Sequence, residues 1–149
     1  MNTRQLIEYI HSIADSIEIV HSFNDSDPYS YWNSKEVKYG SVIFSVSGYT
    51  LLNGVTRYQC ILYYGDRLLA DESNVNDLYS DAQSVINHIL KNIDLSDSSL
   101  VVATNTPSVT FFTQKFLDNL AGGYCKFSID ADDMLGACGY NGGKIINPN

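Results

Sequence analysis

Hydrophobic and polar residues follow two different periods along this chain, and each change of period marks a predicted element. Between residues 41 and 64 the period is two, as in a half-buried strand. Apolar side chains share one face on each side of the dipeptide Asn53-Gly54, which favours a two-residue type I′ turn with positive φ at both positions. The pattern predicts a β-hairpin whose apolar face carries Val42, Phe44 and Val46, then Tyr58, Cys60, Leu62 and Tyr64.

Two other stretches follow the helical period. Asn2 can cap a first helix, with Gln5 as its capping-box partner, and this helix is predicted over residues 3–18. A second helix follows the hairpin after an acidic loop at 66–71. The apolar face of the hairpin needs cover, and the second helix has a matching stripe formed by Val75, Leu78, Ala82, Val85, Ile86, Ile89 and Ile93.

The remainder of the pattern predicts two or three further strands. Residues 100–103 and 109–116 are short and β-rich, residues 117–123 are predicted to interrupt the sheet, and residues 124–130 resume it. The order is helix, strand, strand, helix, strands. We therefore expect an α+β fold, in which two main helices pack on one face of an antiparallel or mixed β-sheet. Residues 1–133 are predicted to form a single domain, and 134–149 a Gly/Asn-rich C-terminal extension.

The net charge, the apolar runs and the cysteines each argue against particular classes of function. The chain has 149 residues and a formal net charge of −8. Phosphate binding needs clustered Lys and Arg, so sequence-specific nucleic-acid binding is not expected. No apolar run approaches the roughly 20 residues of a membrane span, so no membrane association is expected either. The three cysteines, Cys60, Cys125 and Cys138, form no CxxC motif and follow no secretory leader, which indicates a reducing compartment.

Three aromatic residues fall together in the turn-rich segment 21–33, before the hairpin. Tyr29, Tyr31 and Trp32 allow two interpretations. They form either a flap packed on the sheet, as large aromatic residues usually do, or an exposed aromatic contact patch.

Acidic residues gather around the start of the second predicted helix. Asp71 and Glu72 favour the positive end of the helix dipole, which explains part of the cluster without any function. Acid–base catalysis would need a carboxyl group in an apolar pocket, whereas these residues belong to a polar loop. A small hydrolase that uses this loop is the remaining enzymatic interpretation. The cluster consists of Asp66, Asp71, Glu72, Asp77 and Asp81.

Motifs for other chemistry were not found in the sequence. His11, His21 and His88 are scattered and have no Cys, His or Glu at metal-ligand spacing. The chain has no nucleophile elbow, P-loop or dinucleotide fingerprint. We expect a protein that is not an enzyme and that binds no cofactor or metal.

Three segments together resemble a known protein family. In order, they are MNTRQLIEYI with the loop HSFNDSDPYSY, then YYGDRLLADESNVNDLYSDAQSVINHIL, then FFTQKFLDNLAGGYCKFSID. This arrangement is similar to that of the small tail-terminator and tail-completion (neck ring) proteins of tailed bacteriophages, including the crAss-like phages of Bacteroides. The resemblance covers roughly residues 1–131. Tyr39-Gly40 stands where such proteins often have Tyr-Pro.

The resemblance implies an α+β subunit that forms a ring of six or twelve copies around the DNA channel of a virion. Its neighbours would be other neck or tail proteins, such as the portal, connector rings or tail tube. The protein would reside in the virion neck or tail, and in the host cytoplasm during assembly. A negatively charged lumen would repel DNA phosphates. The expected lumen or interface loop contains Asp66, Asp71, Glu72 and Asp77, and the expected subunit interface contains Tyr29, Tyr31 and Trp32.

One alternative from another class stays open. A non-viral α+β protein-binding module could use the aromatic segment to hold its partner. A ring protein should assemble with copies of itself or on its portal, whereas a binding module could stay monomeric.

Overall fold

A computed structural model of the chain describes residues 1–32, 39–96, 99–115 and 119–132. The predicted extension 134–149 lies outside these ranges, so the domain boundary at 133 stays a prediction. The described elements are α1 (Thr3–Asp15), β1 (Ser22–Asn24), α2 (Pro28–Trp32), β2 (Ser41–Leu52), β3 (Val55–Arg67), α3 (Val75–Ser96), β4 (Leu100–Val102), β5 (Val109–Lys115) and β6 (Asn119–Asp132).

The strands form one mixed sheet in the order β1-β2-β3-β6-β4. The β1–β2 pair is parallel, and the other pairs are antiparallel. The outer side of β6 pairs with β5 along its first half and with β4 near its end. This arrangement confirms the predicted α+β class and places the hairpin β2–β3 beside the central strand β6.

The main core lies between the sheet and the two long helices, as predicted. Alternate residues of β2, β3 and β6 point toward α1 and α3 and are buried with them. Leu62 on β3 and Ile86 on α3 are both fully buried in this cluster. Cys60 and Cys125 are buried free thiols, and burial raises the pKa of Cys60 to about 12, so it stays protonated at neutral pH.

The start of α1 follows the predicted capping box. The Asn2 side chain accepts a hydrogen bond from the Gln5 backbone N–H at 2.9 Å, and Gln5 Oε1 accepts one from the Asn2 backbone N–H at 2.9 Å. The helix ends at Asp15, earlier than the predicted residue 18. Ser16 follows as its C-cap, and its backbone N–H bonds to the carbonyl groups of Ile13 and Ala14.

Two predicted irregular segments contain regular structure. The turn-rich segment 21–33 includes β1 and α2, since β1 gains a partner in β2 that only the folded chain supplies. The predicted interruption at 117–123 is wrong from Asn119 onward, because β6 begins there and continues through Gly122 and Gly123. Pairing with β3 on one side and β5 on the other holds these glycines in the strand. Residues 117–118 lie outside the described ranges.

The hairpin turn lies where it was predicted but has another conformation. Leu52 pairs with Val55, which leaves Asn53 and Gly54 as a two-residue loop. Gly54 has φ +76°, whereas Asn53 is not among the residues with positive φ, so the predicted type I′ turn is wrong. Positive φ at the second central position alone is the geometry of a type II turn.

Replacement of Gly54 with alanine is expected to destabilise the protein by about 1 kcal/mol, because L-residues are strained at positive φ. No atom lies within 4 Å of the added Cβ, so backbone strain is the only direct cost. Urea unfolding would measure the change. Gly48→Ala is the matched control, since it lacks positive φ and its new Cβ would only touch Gln59 at 3.7 Å. Equal stability of the two variants would contradict the turn assignment.

Candidate functional site

The loop between β3 and α3 is held by the side chain of Asn74 and by a backbone hydrogen bond to β6. The Nδ2 group of Asn74 donates to the carbonyl of Arg67 at 3.1 Å, and its Oδ1 atom accepts from the backbone N–H of Leu69 at 2.9 Å. The Leu68 N–H donates to the carbonyl of Asn119 on β6 at 2.9 Å. These bonds fix the end of β3 relative to the start of α3, and thereby the acidic residues on each.

Two of the predicted acidic residues stay within the loop. The Asp71 carboxylate accepts a hydrogen bond from the Ser73 backbone N–H at 3.1 Å, and bonding to Ser73 lowers the pKa of Asp71. Glu72 is exposed and has φ +58°. Since α3 begins only at Val75, the acidic residue in its first turn is Asp77. The predicted interaction of Asp71 and Glu72 with the helix start is corrected accordingly, because the dipole effect is confined to the first turn.

The other acidic residues are brought together on the helix side of the sheet. Asp66 follows Tyr64 at strand spacing, and both therefore point toward α3. Asp77 and Asp81 lie one turn apart on α3. Burial, and then the charges of Asp66 and Asp77, raise the pKa of Asp81. The structure thus unites Asp66, Asp77 and Asp81 and leaves Asp71 and Glu72 outside the group.

Tyr64 is a buried residue close to this acidic group. The Tyr64 side chain is 1% exposed and packs in the main core, while its hydroxyl has no hydrogen-bond partner among the described residues. Burial, and then the charges of Asp66 and Asp81, raise the pKa of Tyr64. From the sequence, Tyr64 was predicted only as a residue of the apolar hairpin face. Its two-residue spacing from Asp66 was the signal that the two side chains share a face.

The predicted aromatic interface residues separate in the structure. Trp32 is 2% exposed and packs against Ile43 and Leu120 on the sheet face opposite α1 and α3. Tyr31 is half-buried, and its hydroxyl lies 2.9 Å from Ser22 Oγ. The side chain of Tyr29 lies outside the described residues. For Trp32 the packed alternative is therefore the observed one, and a subunit contact through this segment stays a prediction.

The far end of the hairpin has an exposed apolar surface that sequence analysis did not single out. Tyr49 is 61% exposed and Leu51 is 71% exposed. They pair opposite Tyr58 and Thr56, on the face that carries the helices. A shift of register between Val46 and Gly48 reverses the alternation in β2 and conceals this shared face in the sequence.

The same part of β2 has an open edge. Strand β1 pairs with β2 only at 41–43, and no other described strand pairs with that edge. An unpaired edge is a template for another strand, especially beside exposed apolar side chains. We call residues 44–52, with exposed Tyr49 and Leu51, the open β2 edge.

The open β2 edge and the acidic group lie toward opposite ends of the hairpin. Val55 begins β3 beside the turn, and Arg67 ends it near the acidic loop. A strand of this length spans about 40 Å at ~3.3 Å per residue.

The described ranges were also searched for metal-binding clusters and for helices that could cross a membrane. Within them, no three His, Cys, Asp or Glu side chains are placed to share a metal ion. None of the helices in this part of the chain combines the length and apolar character needed to cross a membrane.

No protein-family model matches the chain, and a search of the curated proteins finds no match.

Proposed function

We propose that this chain is a structural subunit of a tailed-bacteriophage virion, which assembles with copies of itself into a ring in the neck or tail. Two kinds of support are available. The first is the sequence resemblance to tail-terminator and tail-completion proteins. The second is the open β2 edge, and this single observation carries the proposal, because it offers a neighbour apolar area and a strand edge that no other described strand occupies.

A ring requires heterologous contacts that close by rotation. The open β2 edge would meet a different surface of the next copy, and repetition of this contact would close the ring. The acidic group at the other end of the hairpin would then face the channel, where its negative charge repels DNA phosphates. The ring would contact other neck or tail proteins, such as the portal, connector or tail tube.

Replacement of both Tyr49 and Leu51 with aspartate is expected to abolish ring formation while the monomer still folds. Both side chains are mostly exposed, so their loss removes little core, whereas two charges on a contact surface oppose association. Light scattering after size-exclusion chromatography, with negative-stain microscopy of rings, would measure assembly of the purified protein alone and with its virion neighbours.

The matched control is Leu69→Asp. Leu69 is 50% exposed and lies in the loop before α3, away from the open β2 edge. This variant should assemble as the unmodified protein does. Rings that persist after the double substitution would overturn the role of the open β2 edge. A chain that stays monomeric in all conditions, including with the phage neighbours, would instead favour the protein-binding module.

A further inference from the structure

Strand β6 ends level with one end of the open β2 edge. Its last residue, Asp132, pairs with Val55, and Val55 pairs with Leu52, so the three residues form one row across β6, β3 and β2. At ~4.8 Å between neighbouring strands, this row is about 10 Å wide. The chain therefore leaves the described fold beside the hairpin turn, at the Leu52 end of the open β2 edge.

The exit of the chain and the open β2 edge lie on opposite sides of the central strand β3. Strands β2 and β6 flank β3, and the unoccupied edge of β2 faces away from both. On its other side, the end of β6 pairs with β4. A contact that repeats around a ring needs one complementary element on each side of the subunit. The chain after Asp132 is placed to supply the element that meets the open edge of the next copy.

The sequence after Asp132 contains one run that is typical of a strand. The tetrapeptide KIIN at 144–147 follows two glycines and precedes Pro148. Isoleucine favours strands, and glycine and proline mark their ends. The 11 residues at 133–143 include four glycines, and a connection of that length extends to about 36 Å at ~3.3 Å per residue. A strand added beyond β4 lies only about 10 Å from β6, so the connection is long enough.

The side chains of this run match the open β2 edge. Successive residues of a strand point to opposite faces, so Ile145 and Ile146 would offer one apolar side chain to each face of the sheet. On the face that carries the helices, the open β2 edge exposes Tyr49 and Leu51. On the opposite face, Leu52 is 40% exposed. An added strand would cover apolar area on both faces and form backbone hydrogen bonds with the edge.

We propose that residues 144–147 of one copy add as a strand to the open β2 edge of the next copy. Strands β2 and β6 both run toward the hairpin turn, so the chain reverses after β6 and the added strand is antiparallel to β2. Because this contact joins two copies, it rests on the proposed function. It names the element of the neighbour that the open β2 edge receives.

Two full-length variants would test the exchange, because each removes one partner of the contact. The edge variant combines Tyr49→Asp with Leu51→Asp, and the segment variant combines Ile145→Asp with Ile146→Asp. Neither variant should assemble alone. An equal mixture should form a heterodimer and stop there, since one intact segment meets one intact edge and the remaining edge and segment are blocked. Light scattering should give twice the monomer mass, with a dissociation constant on the order of 10 µM for so small an interface.

Controls separate the contact from the effect of added charge. Asn141→Asp with Asn149→Asp adds the same charge after Asp132 but outside 144–147, and should assemble as the unmodified chain does. Amide hydrogen exchange at residues 49–52 should be slower in the heterodimer than in the segment variant alone, by at least about tenfold. Melting temperatures would confirm that each variant is folded, and serines in place of the two aspartates provide a milder edge variant.

The outcomes distinguish this inference from the proposed function. A segment variant that forms rings as the unmodified chain does would overturn the exchange and leave the ring intact. Protected amides at 49–52 in a monomeric unmodified chain, with no heterodimer from the mixture, would place the segment on its own β2 edge and overturn the exchange between copies. An unmodified chain that stays monomeric even with its phage neighbours, with those amides unprotected, would overturn the ring and the exchange together.

Discussion

Replacement of Gly122 with alanine is expected to destabilise the protein by at least about 3 kcal/mol, at the upper end of overpacking effects in well-packed interiors. An added Cβ would lie 1.8 Å from the carbonyl oxygen of Tyr64 and 2.9 Å from the Cα atom of Gly65. Both atoms belong to the backbone of β3, so no side-chain rotation relieves the contact. The two central strands would have to separate, and their hydrogen-bonded register would be disturbed.

The next residue of β6 provides the matched control. In Gly123→Ala the new Cβ would lie 3.1 Å from Val109 Cγ1 and 3.3 Å from the Cβ of Ala82. Small movements of side chains and of α3 can relieve these contacts, so the cost should be about 1 kcal/mol or less. Urea unfolding of both variants would measure the difference. Equal costs would show that β3 and β6 are not in close backbone contact at Gly122.

The elements that sequence analysis predicted well depend on neighbours in the sequence. The capping box needs only Asn2 and Gln5, and the hairpin needs only a turn between two alternating runs. The seven-residue apolar stripe predicted for α3 lies on its buried or partly buried side. In each case, the element can be predicted from residues that are close to one another in the sequence.

The elements that it missed depend on distant partners. The three-residue strand β1 exists because β2 accepts it in parallel, and Gly122 stands in β6 because the backbone of β3 approaches closely at that point. Neither partner can be read from the local pattern. The open β2 edge was missed for a related reason. Strict alternation from Val46 would place Tyr49 and Leu51 on the face opposite the helices, but the register shift after Val46 places both on the helix face.

The acidic group also combines features that can be read from nearby residues with features that depend on distant ones. Helical spacing places Asp77 and Asp81 together, and strand spacing places Asp66 with Tyr64, so each half could be predicted from sequence. That the halves meet depends on how α3 packs across β3. The burial of the Tyr64 hydroxyl and the separation of Asp71 from the group follow from that packing and from the Asp71–Ser73 hydrogen bond.

Trp32→Ala is expected to cost about 3–5 kcal/mol, the range for removal of a large buried aromatic side chain. Trp32 is the only tryptophan of the chain and is almost fully buried. Its ring covers the sheet face opposite the long helices, with Tyr63 edge-on at 6.2 Å and Phe112 at 5.8 Å between ring centroids. Its loss would leave a cavity over β3. Urea unfolding followed by circular dichroism would measure the change, with Trp32→Phe as the milder variant.

A double-mutant cycle would test whether the indole of Trp32 packs directly against Gly65. A Cβ on Gly65 would lie 2.8 Å from Trp32 Cζ2, so Gly65→Ala alone should cost about 1–3 kcal/mol through overpacking. In the Trp32→Ala background that contact no longer exists, and the same substitution should cost close to nothing. The coupling between the two sites should therefore be at least about 1 kcal/mol. Additive costs would mean that the indole does not rest on Gly65. A Trp32→Ala variant as stable as the unmodified chain would return Trp32 to the exposed alternative, in which its side chain is held by a neighbouring subunit.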